Sequence, residues 1–189
     1  MGTAGAELSL TDRVVLGLVA EGTTHGWAVA RLLGPGGEIG AVWTVRRALV
    51  YRAVAQLTTL ELVSEEGLAP SARGPRRMML RATPKGRRAL SSWLDEPVAH
   101  VRDMRTEFLV KLMLLHRIGR DPADLVRRQR EELAVIATQL ATQLREAEDF
   151  DAILLRWRVE SSEAAIRFLD ALDDGAARPG QRRGGGRNS

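Results

Sequence analysis

The order in which helix-forming and helix-breaking segments follow one another between Leu8 and Leu94 constrains this chain more than any single motif. Leu8 to Glu21 reads as a helix, with Ser9 as its N-cap, Asp12 in the first turn, and Val14, Val15, Leu18 and Val19 on one apolar side. Gly22 stops it. Thr23 or Thr24 caps a second short helix, His25 to Leu33, which ends at the breaker Gly34-Pro35-Gly36-Gly37. A third helix starts near Thr44 and runs to about Leu60, with Leu49, Ala53, Leu57 and Leu60 spaced to share an inward face. Two extended runs follow, Leu62 to Glu66 and Arg76 to Ala82. They flank a loop, Gly67 to Pro75, rich in Gly, Pro, Ser and Arg, and so predict a β-hairpin with a basic tip. Thr83-Pro84 then opens a fourth helix in the favoured N-cap/N1 arrangement, continuing to about Leu94. Three helices, a hairpin and a helix is the order of a winged helix-turn-helix.

The rest of the chain reads as helical. Arg105 to Ile118 is dense in Phe, Leu, Val and Met, and Gly119, Asp121 and Pro122 supply a stop, an N-cap and an N1 proline. The next helix is expected to run to about Glu148, with Val126, Leu133, Leu140 and Ala147 at heptad spacing and Ile136 and Leu144 on the adjoining seam. A last helix, Asp151 to Leu172, repeats Ile153, Trp157, Ala164 and Phe168. Two long amphipathic helices cannot bury both stripes alone, so an antiparallel pair docked on a second copy is expected. The residues expected at that homodimer contact are Phe108, Leu112, Leu133, Leu140, Leu144, Trp157 and Phe168. The competing arrangement folds the pair back on its own N-terminal domain. From Gly175 the Arg/Gly-rich tail has no apolar periodicity and is expected to be disordered. The fold class is therefore mainly α with a small β-hairpin wing. It divides into a winged domain (1–95), a helical dimerisation and effector region (96–174) and a tail (175–189).

Composition narrows the chemistry. The chain has no cysteine, which removes disulfides, thiolate catalysis and cysteine-ligated zinc. No secretory signal pattern opens it, and no uncharged apolar run approaches the roughly 20 residues of a membrane span. A cytoplasmic protein with no membrane partner is the expectation. The net charge of +4 is modest, but it is unevenly placed. Between Thr44 and Arg88 ten basic side chains (Arg46, Arg47, Arg52, Arg73, Arg76, Arg77, Arg81, Lys85, Arg87, Arg88) face three acids (Glu61, Glu65, Glu66). From Val101 to Asp173 the balance reverses, with 12 basic against 14 acidic residues. That asymmetry fits a nucleic-acid-facing module carried by a neutral-to-acidic body.

The same segments resemble the PadR-like transcriptional regulators. Glu21-Gly22 ends the apolar first helix, and His25-Gly26-Trp27 stands where the family has an H/Y-G-Y/W motif. The run from Ala48 to Leu57 (ALVYRAVAQL) is similar to the family's "LYxxLxxLExxGL" recognition helix. Gly74 to Gly86 (GPRRMMLRATPKG) is similar to its "GRxRxxYxLTxxG" wing strand and following helix start. The resemblance covers about residues 8 to 95, and the long C-terminal helices look like those of the subgroup with an extended all-helical tail. Three places depart from it: Met79 replaces the usual wing aromatic, Val45-Arg46-Arg47 precedes the third helix, and Ala53-Val54-Ala55 stands where Pro and charged residues are common.

The resemblance implies a dimeric, ligand-responsive repressor on a double-stranded DNA operator, with no cofactor. In a helix-turn-helix the third helix enters the major groove. Arg46, Arg47, Tyr51 and Arg52 are the expected contacts there, with Thr44 donating to phosphate from the helix N-terminus. Arg73 and Arg77 are the expected wing contacts. The resemblance also implies a planar aromatic or drug-like effector near the dimer interface, with Trp93 the first candidate to stack on it. Packing is the competing role for Trp93, and helix start or packing is the expectation for His25. His100 and His116 lack partners at metal-ligand spacing.

Other readings fit less well. An enzyme would need a phosphate loop, a nucleophile with its base, or a metal cluster, and no such pattern is present. A winged-helix protein-interaction adaptor would leave the basic segment incidental. A MarR-like regulator would carry helical extension before the first winged-helix element, where only Met1 to Glu7 stands here.

Overall fold

In a computed structural model, which describes residues 7–22, 24–69 and 76–176, the chain divides into two units. The first comprises 1–98 and 102–122, the second 99–101 and 123–189.

The first unit begins with α1, Leu10–Ala20. Ser9 caps it reciprocally: its Oγ accepts from the Asp12 N–H at 3.2 Å while the Asp12 carboxylate accepts from the Ser9 N–H at 2.9 Å. A two-residue strand, β1 (Thr24–His25), leads into α2, Gly26–Leu33. The cap of α2 is His25, whose Nδ1 accepts from the Ala28 N–H at 3.1 Å, in place of the threonines expected there. Thr23 lies outside the described residues. The helix α3, Arg47–Thr59, leads to β2 (Val63–Ala69), β3 (Arg77–Ala82) and α4 (Pro84–Asp95), which Thr83 caps through the Gly86 N–H. The three strands form an antiparallel sheet in the order β1-β3-β2. The hairpin was predicted; the third strand was not, because two residues carry no alternation to read.

The packed interior joins Val14, Val15, Leu16 and Val19 of α1 to Val29 and Leu33 of α2, to Val50, Ala53 and Leu57 of α3, and to Leu80 of β3. Burying each large aliphatic contributes about 1.5–3 kcal/mol. One expectation shifts: α3 turns Val50, not Leu49, fully inward. Val45 is itself buried, and its N–H donates to the Leu33 carbonyl at 2.8 Å. That bond holds the chain extended through Arg46, so the helix starts at Arg47 and its rotation is set from there.

Two helix ends in this unit close in the same way with different residues. After α3, the Leu62 N–H donates to Leu57 O and the Glu61 N–H to Thr58 O, with Glu61 at φ 57°. The fifth helix, α5 (Glu107–Arg117), repeats the pattern with the Arg120 N–H on Leu115 O, the Gly119 N–H on His116 O, and Gly119 at φ 68°. Both are left-handed C-terminal caps, but only the second has the glycine that adopts that backbone without strain. Arg117 binds α5 to the first helices: Nε and Nη2 reach both carboxylate oxygens of Glu21 at 2.6 Å, and Nη1 reaches Glu38 at 2.5 Å. These acceptors raise its pKa above the ordinary arginine range, the Glu21 hydrogen bonds foremost.

The second unit is a helical hairpin, α6 (Ala123–Leu144) and α7 (Asp149–Ala176). Arg130 meets Asp170 at 2.5 Å across the pair. Leu125, Val126, Gln129 and Leu133 of α6 are buried, as are Val159, Ser162 and Leu169 of α7. The first of these helices is shorter than its heptads suggest. Arg145, Glu146 and Ala147 donate three residues back, which tightens the last turn, and Asp149 at φ 49° starts the next helix two residues earlier than expected. At its far end α7 runs to Ala176, past the expected start of the tail at Gly175; residues 177–189 lie outside the described residues.

Candidate nucleic-acid interface

The outward strip of α3 carries Arg47, Ala48, Tyr51, Arg52, Ala55 and Thr59, all exposed and all within one side of the helix. Arg47 and Tyr51 lie one turn apart. The guanidinium sits 5.5 Å from the ring centroid, and its Nη2 donates to the Tyr51 hydroxyl oxygen at 3.4 Å. The phenolic proton of Tyr51 is thereby left to donate outward. Arg46 is the N-cap residue and is exposed. Thr44 was expected at the helix N-terminus but precedes it by three residues, and its hydroxyl donates to the Gly40 carbonyl at 3.0 Å. The extended Val45-Arg46 step is the reason.

The ring of Tyr51 packs against the start of α2. A Cβ on Gly26 would meet its Cε1 at 3.0 Å, so the glycine of the His25-Gly26-Trp27 motif provides the room for that ring. The strand β1 brings the motif's other two residues to the wing. His25 pairs with Met79 of β3, which puts Arg77, two residues along on the same face, within diagonal reach. Arg77 Nη1 lies 3.1 Å from His25 Nε2, and its guanidinium lies 4.6 Å from the Trp27 ring centroid. Arg31, one turn further along α2, approaches the same indole at 5.3 Å. His25, Trp27 and Arg77 border a cleft of about 490 Å³ between α3, the start of α2 and the wing, lined also by Tyr51, Arg47, Arg76 and Glu65. Of the wing candidates, Arg77 is thus placed, while Arg73 lies outside the described residues.

Other basic residues of this segment hold the fold. Lys85 donates to the Leu60 carbonyl and Arg87 to the Ala20 carbonyl, both at 2.9 Å, so each covers a helix C-terminal end. Arg81 pairs with Glu66 at 3.6 Å. Among the described residues, the charge beside this strip and cleft is therefore that of Arg46, Arg47, Arg52, Arg76 and Arg77, while Arg88 is exposed on α4. Reading the sequence alone missed His25, Trp27 and Arg31 as neighbours of the wing, since only the unpredicted strand brings them there.

Trp93 is 4% exposed. Its Nε1 donates to Glu107 at 2.7 Å, and Lys111 Nζ lies 5.0 Å from its ring centroid. The Lys111 amine, 1% exposed, donates to the Glu96 carbonyl at 2.6 Å and sits 3.4 Å from Glu107. Burial lowers the Lys111 pKa, and Glu107 opposes that shift. A shallow recess of about 240 Å³ borders Trp93, Leu8, Arg13, Leu16 and Leu90. Among the expected dimer residues, Phe108 and Leu133 are fully buried within the chain, so they present no surface to a second copy. Leu112, Leu140 and Leu144 are half-buried, and Trp157 and Phe168 are exposed. Among the described residues no cluster of three or more His, Asp or Glu is placed to hold a metal ion, and no helix is long and apolar enough to cross a membrane.

No protein-family model matches the chain, and no curated protein matches it in sequence. Solved structures do resemble it. It is similar to Bacillus subtilis PadR in complex with operator DNA, at 15% identity and a TM-score of 0.46 over 88% of this chain and 99% of that one. It is also similar to the same regulator in complex with p-coumaric acid, at 15% identity and a TM-score of 0.41 over 90% of this chain and 100% of that one. A third similar structure is the PadR-like transcriptional regulator BC1756 from Bacillus cereus, at 17% identity and a TM-score of 0.39 over 88% and 98% of the two chains.

Proposed function

We propose that this chain is a sequence-specific DNA-binding transcriptional regulator of the PadR-like type, acting as a ligand-responsive dimeric repressor in the cytoplasm. The observation that carries the reading is the outward strip of α3, with Arg47 and Tyr51 beside Arg76 and Arg77 of the wing around one cleft. Arginine forks match guanine in the major groove, and hydroxyl and guanidinium donors match backbone phosphate. In this reading α3 enters the major groove with Arg46, Arg47, Tyr51 and Arg52, and the wing carries Arg77 and Arg73 to the flanking backbone.

A homodimer is supported by the outward side of α7. Phe150, Ile153, Leu154, Trp157, Ser161, Ala164 and Phe168 form one stripe without a charge, opposite the face that carries the buried Val159 and Ser162. Two copies would present two recognition helices to half-sites spaced by about 34 Å or a multiple. The effector is a planar aromatic molecule received beside Trp93, and its binding weakens the hold on DNA.

The test is fluorescence anisotropy with duplex DNA from upstream of the protein's own coding region, against a scrambled duplex, at low and high salt. Preferential, salt-sensitive binding is expected. An Arg47→Ala/Tyr51→Ala variant should lose about 100-fold in affinity, from one base contact and one phosphate contact of about 1–3 kcal/mol each. Equal weak binding to both duplexes, unchanged in the variant, would favour the adaptor reading instead.

A further inference from the structure

His25 makes two contacts that its ring cannot satisfy together. Nδ1 accepts from the Ala28 N–H at 3.1 Å, and a ring nitrogen that accepts carries no proton. The proton of the neutral ring then sits on Nε2, which becomes a donor. Yet 3.1 Å from Nε2 stands Arg77 Nη1, and a guanidinium only donates. The opposite tautomer would let Nε2 accept from Arg77, but it would turn Nδ1–H against the Ala28 N–H. The doubly protonated ring would oppose donors at both places.

Of the two neighbours, the Ala28 N–H has the stronger claim on the ring. Ala28 is the third residue of α2, so its N–H has no partner inside the helix and loses its cap if Nδ1 is protonated. Arg77 has five N–H donors and already rests on the Trp27 ring. The cap therefore holds the tautomer, and Nε2–H and Nη1–H converge from two sides on a position that wants an oxygen. Glu65, the carboxylate among the cleft residues, has no hydrogen bond to either group. Arg47, Tyr51 and Arg76 border the same cleft and add charge and a hydroxyl donor but no anionic acceptor.

We propose that His25 and Arg77 together bind one non-bridging oxygen of a DNA backbone phosphodiester, with His25 serving as helix cap through Nδ1 and phosphate donor through Nε2. This deepens the DNA-binding reading and rests on it. The three residues of the His25-Gly26-Trp27 motif then serve one contact. His25 donates, Gly26 admits Tyr51, and Trp27 carries the Arg77 guanidinium at the right place. A neutral donor fits one oxygen without adding to the count of neutralised phosphates, so it sharpens position more than salt dependence.

The experiment compares His25→Asn with the wild-type chain. Asparagine caps a helix as well as any residue but cannot extend a donor to where Nε2 lies. Thermal stability should hold, while affinity for the upstream duplex should fall about tenfold. An Arg77→Ala/His25→Asn double variant should lose less than the product of the two single losses, since either change removes the shared oxygen's clamp. A scan of single methylphosphonate substitutions should find a phosphate whose neutralisation weakens wild type but not His25→Asn. Nitrogen-15 NMR of the free protein should place the His25 proton on Nε2. Wild-type binding matched by His25→Asn, or a proton on Nδ1, would overturn the clamp while leaving the regulator reading intact. Failure of the wild-type chain to prefer the upstream duplex would overturn that reading, and the clamp with it.

Discussion

The outward strip of α3 and the outward stripe of α7 both expose aromatic rings, yet they are built on opposite terms. Around α3 and the start of α2, Tyr51 and Trp27 are interleaved with arginines, and each ring has a guanidinium within 5.5 Å of its centroid. On α7, Phe150 and Trp157 are 72% and 70% exposed on a stripe that contains no charged residue. An aromatic stacked with cations can remain in water and meet a polyanion. An uncharged stripe of that size can be covered only by another apolar surface. Exposure alone therefore does not define a surface; the residues between the rings do.

Trp93 gives the comparison its interior limit, because there the cation beside the ring has left water altogether. Removing its counter-charge should have the largest effect. Glu107→Ala leaves the buried Lys111 amine with the Glu96 carbonyl but no counter-charge and the indole N–H without its acceptor, and should destabilise the fold by about 3–5 kcal/mol in chemical denaturation. Lys111→Met should be neutral or stabilising near pH 7. Since the folded-state pKa of Lys111 is lowered, the unfolded chain binds more protons as the pH approaches the ordinary lysine value. Wild-type stability should therefore rise with pH across that alkaline range relative to Lys111→Met, and the advantage of the methionine variant should shrink. A constant difference between the two from pH 7 to 10 would mean that the Lys111 amine is not held out of water.

A smaller effect is expected on α7. Phe150→Asp/Trp157→Asp places charges in the apolar stripe and should weaken self-association more than 100-fold in sedimentation, about 2.7 kcal/mol or more. Helical content should not change. A dimer that survives both substitutions would move the self-association surface elsewhere. The smallest effect tests the end of α3 away from Arg47. Glu61→Gly relieves a left-handed residue and should stabilise by about 0.5–1 kcal/mol without altering DNA affinity. It thereby separates stability of the helix from what its outward strip contacts.

Much of this arrangement was legible in the sequence because its signals are local. Ser9 with Asp12, Thr83 with Pro84, and Gly119 each mark a helix end within four residues, and the hairpin follows from two extended runs about a Gly/Pro loop. What escaped reading depends on partners far along the chain. The rotation of α3 is set by Val45 on Leu33, and two periodic stripes, one through Leu49 and one through Val50, fit its sequence about equally well. The strand β1 exists only because β3 returns beside it, and with it come the His25–Arg77 and Trp27–Arg77 contacts. The charge balance of the segment pointed to nucleic acid, but it could not say that Lys85 and Arg87 are spent on carbonyls of the fold. Phe108 and Leu133 followed apolar periodicity that a helix shows equally whether it packs at home or against a second copy.

The irregularity between Glu65 and Gly67 has a bearing on which surface the chain can share with itself. A three-stranded sheet ends in two open rows of backbone donors and acceptors, and such rows recruit strands from other molecules. Here β1 is too short to template a neighbour. On the other side, β2 bears adjacent carboxylates at Glu65 and Glu66, and the shifted register interrupts its ladder. Growth of the sheet from copy to copy is therefore disfavoured at both margins, so the wing can lie open to solvent without becoming a seed for aggregation.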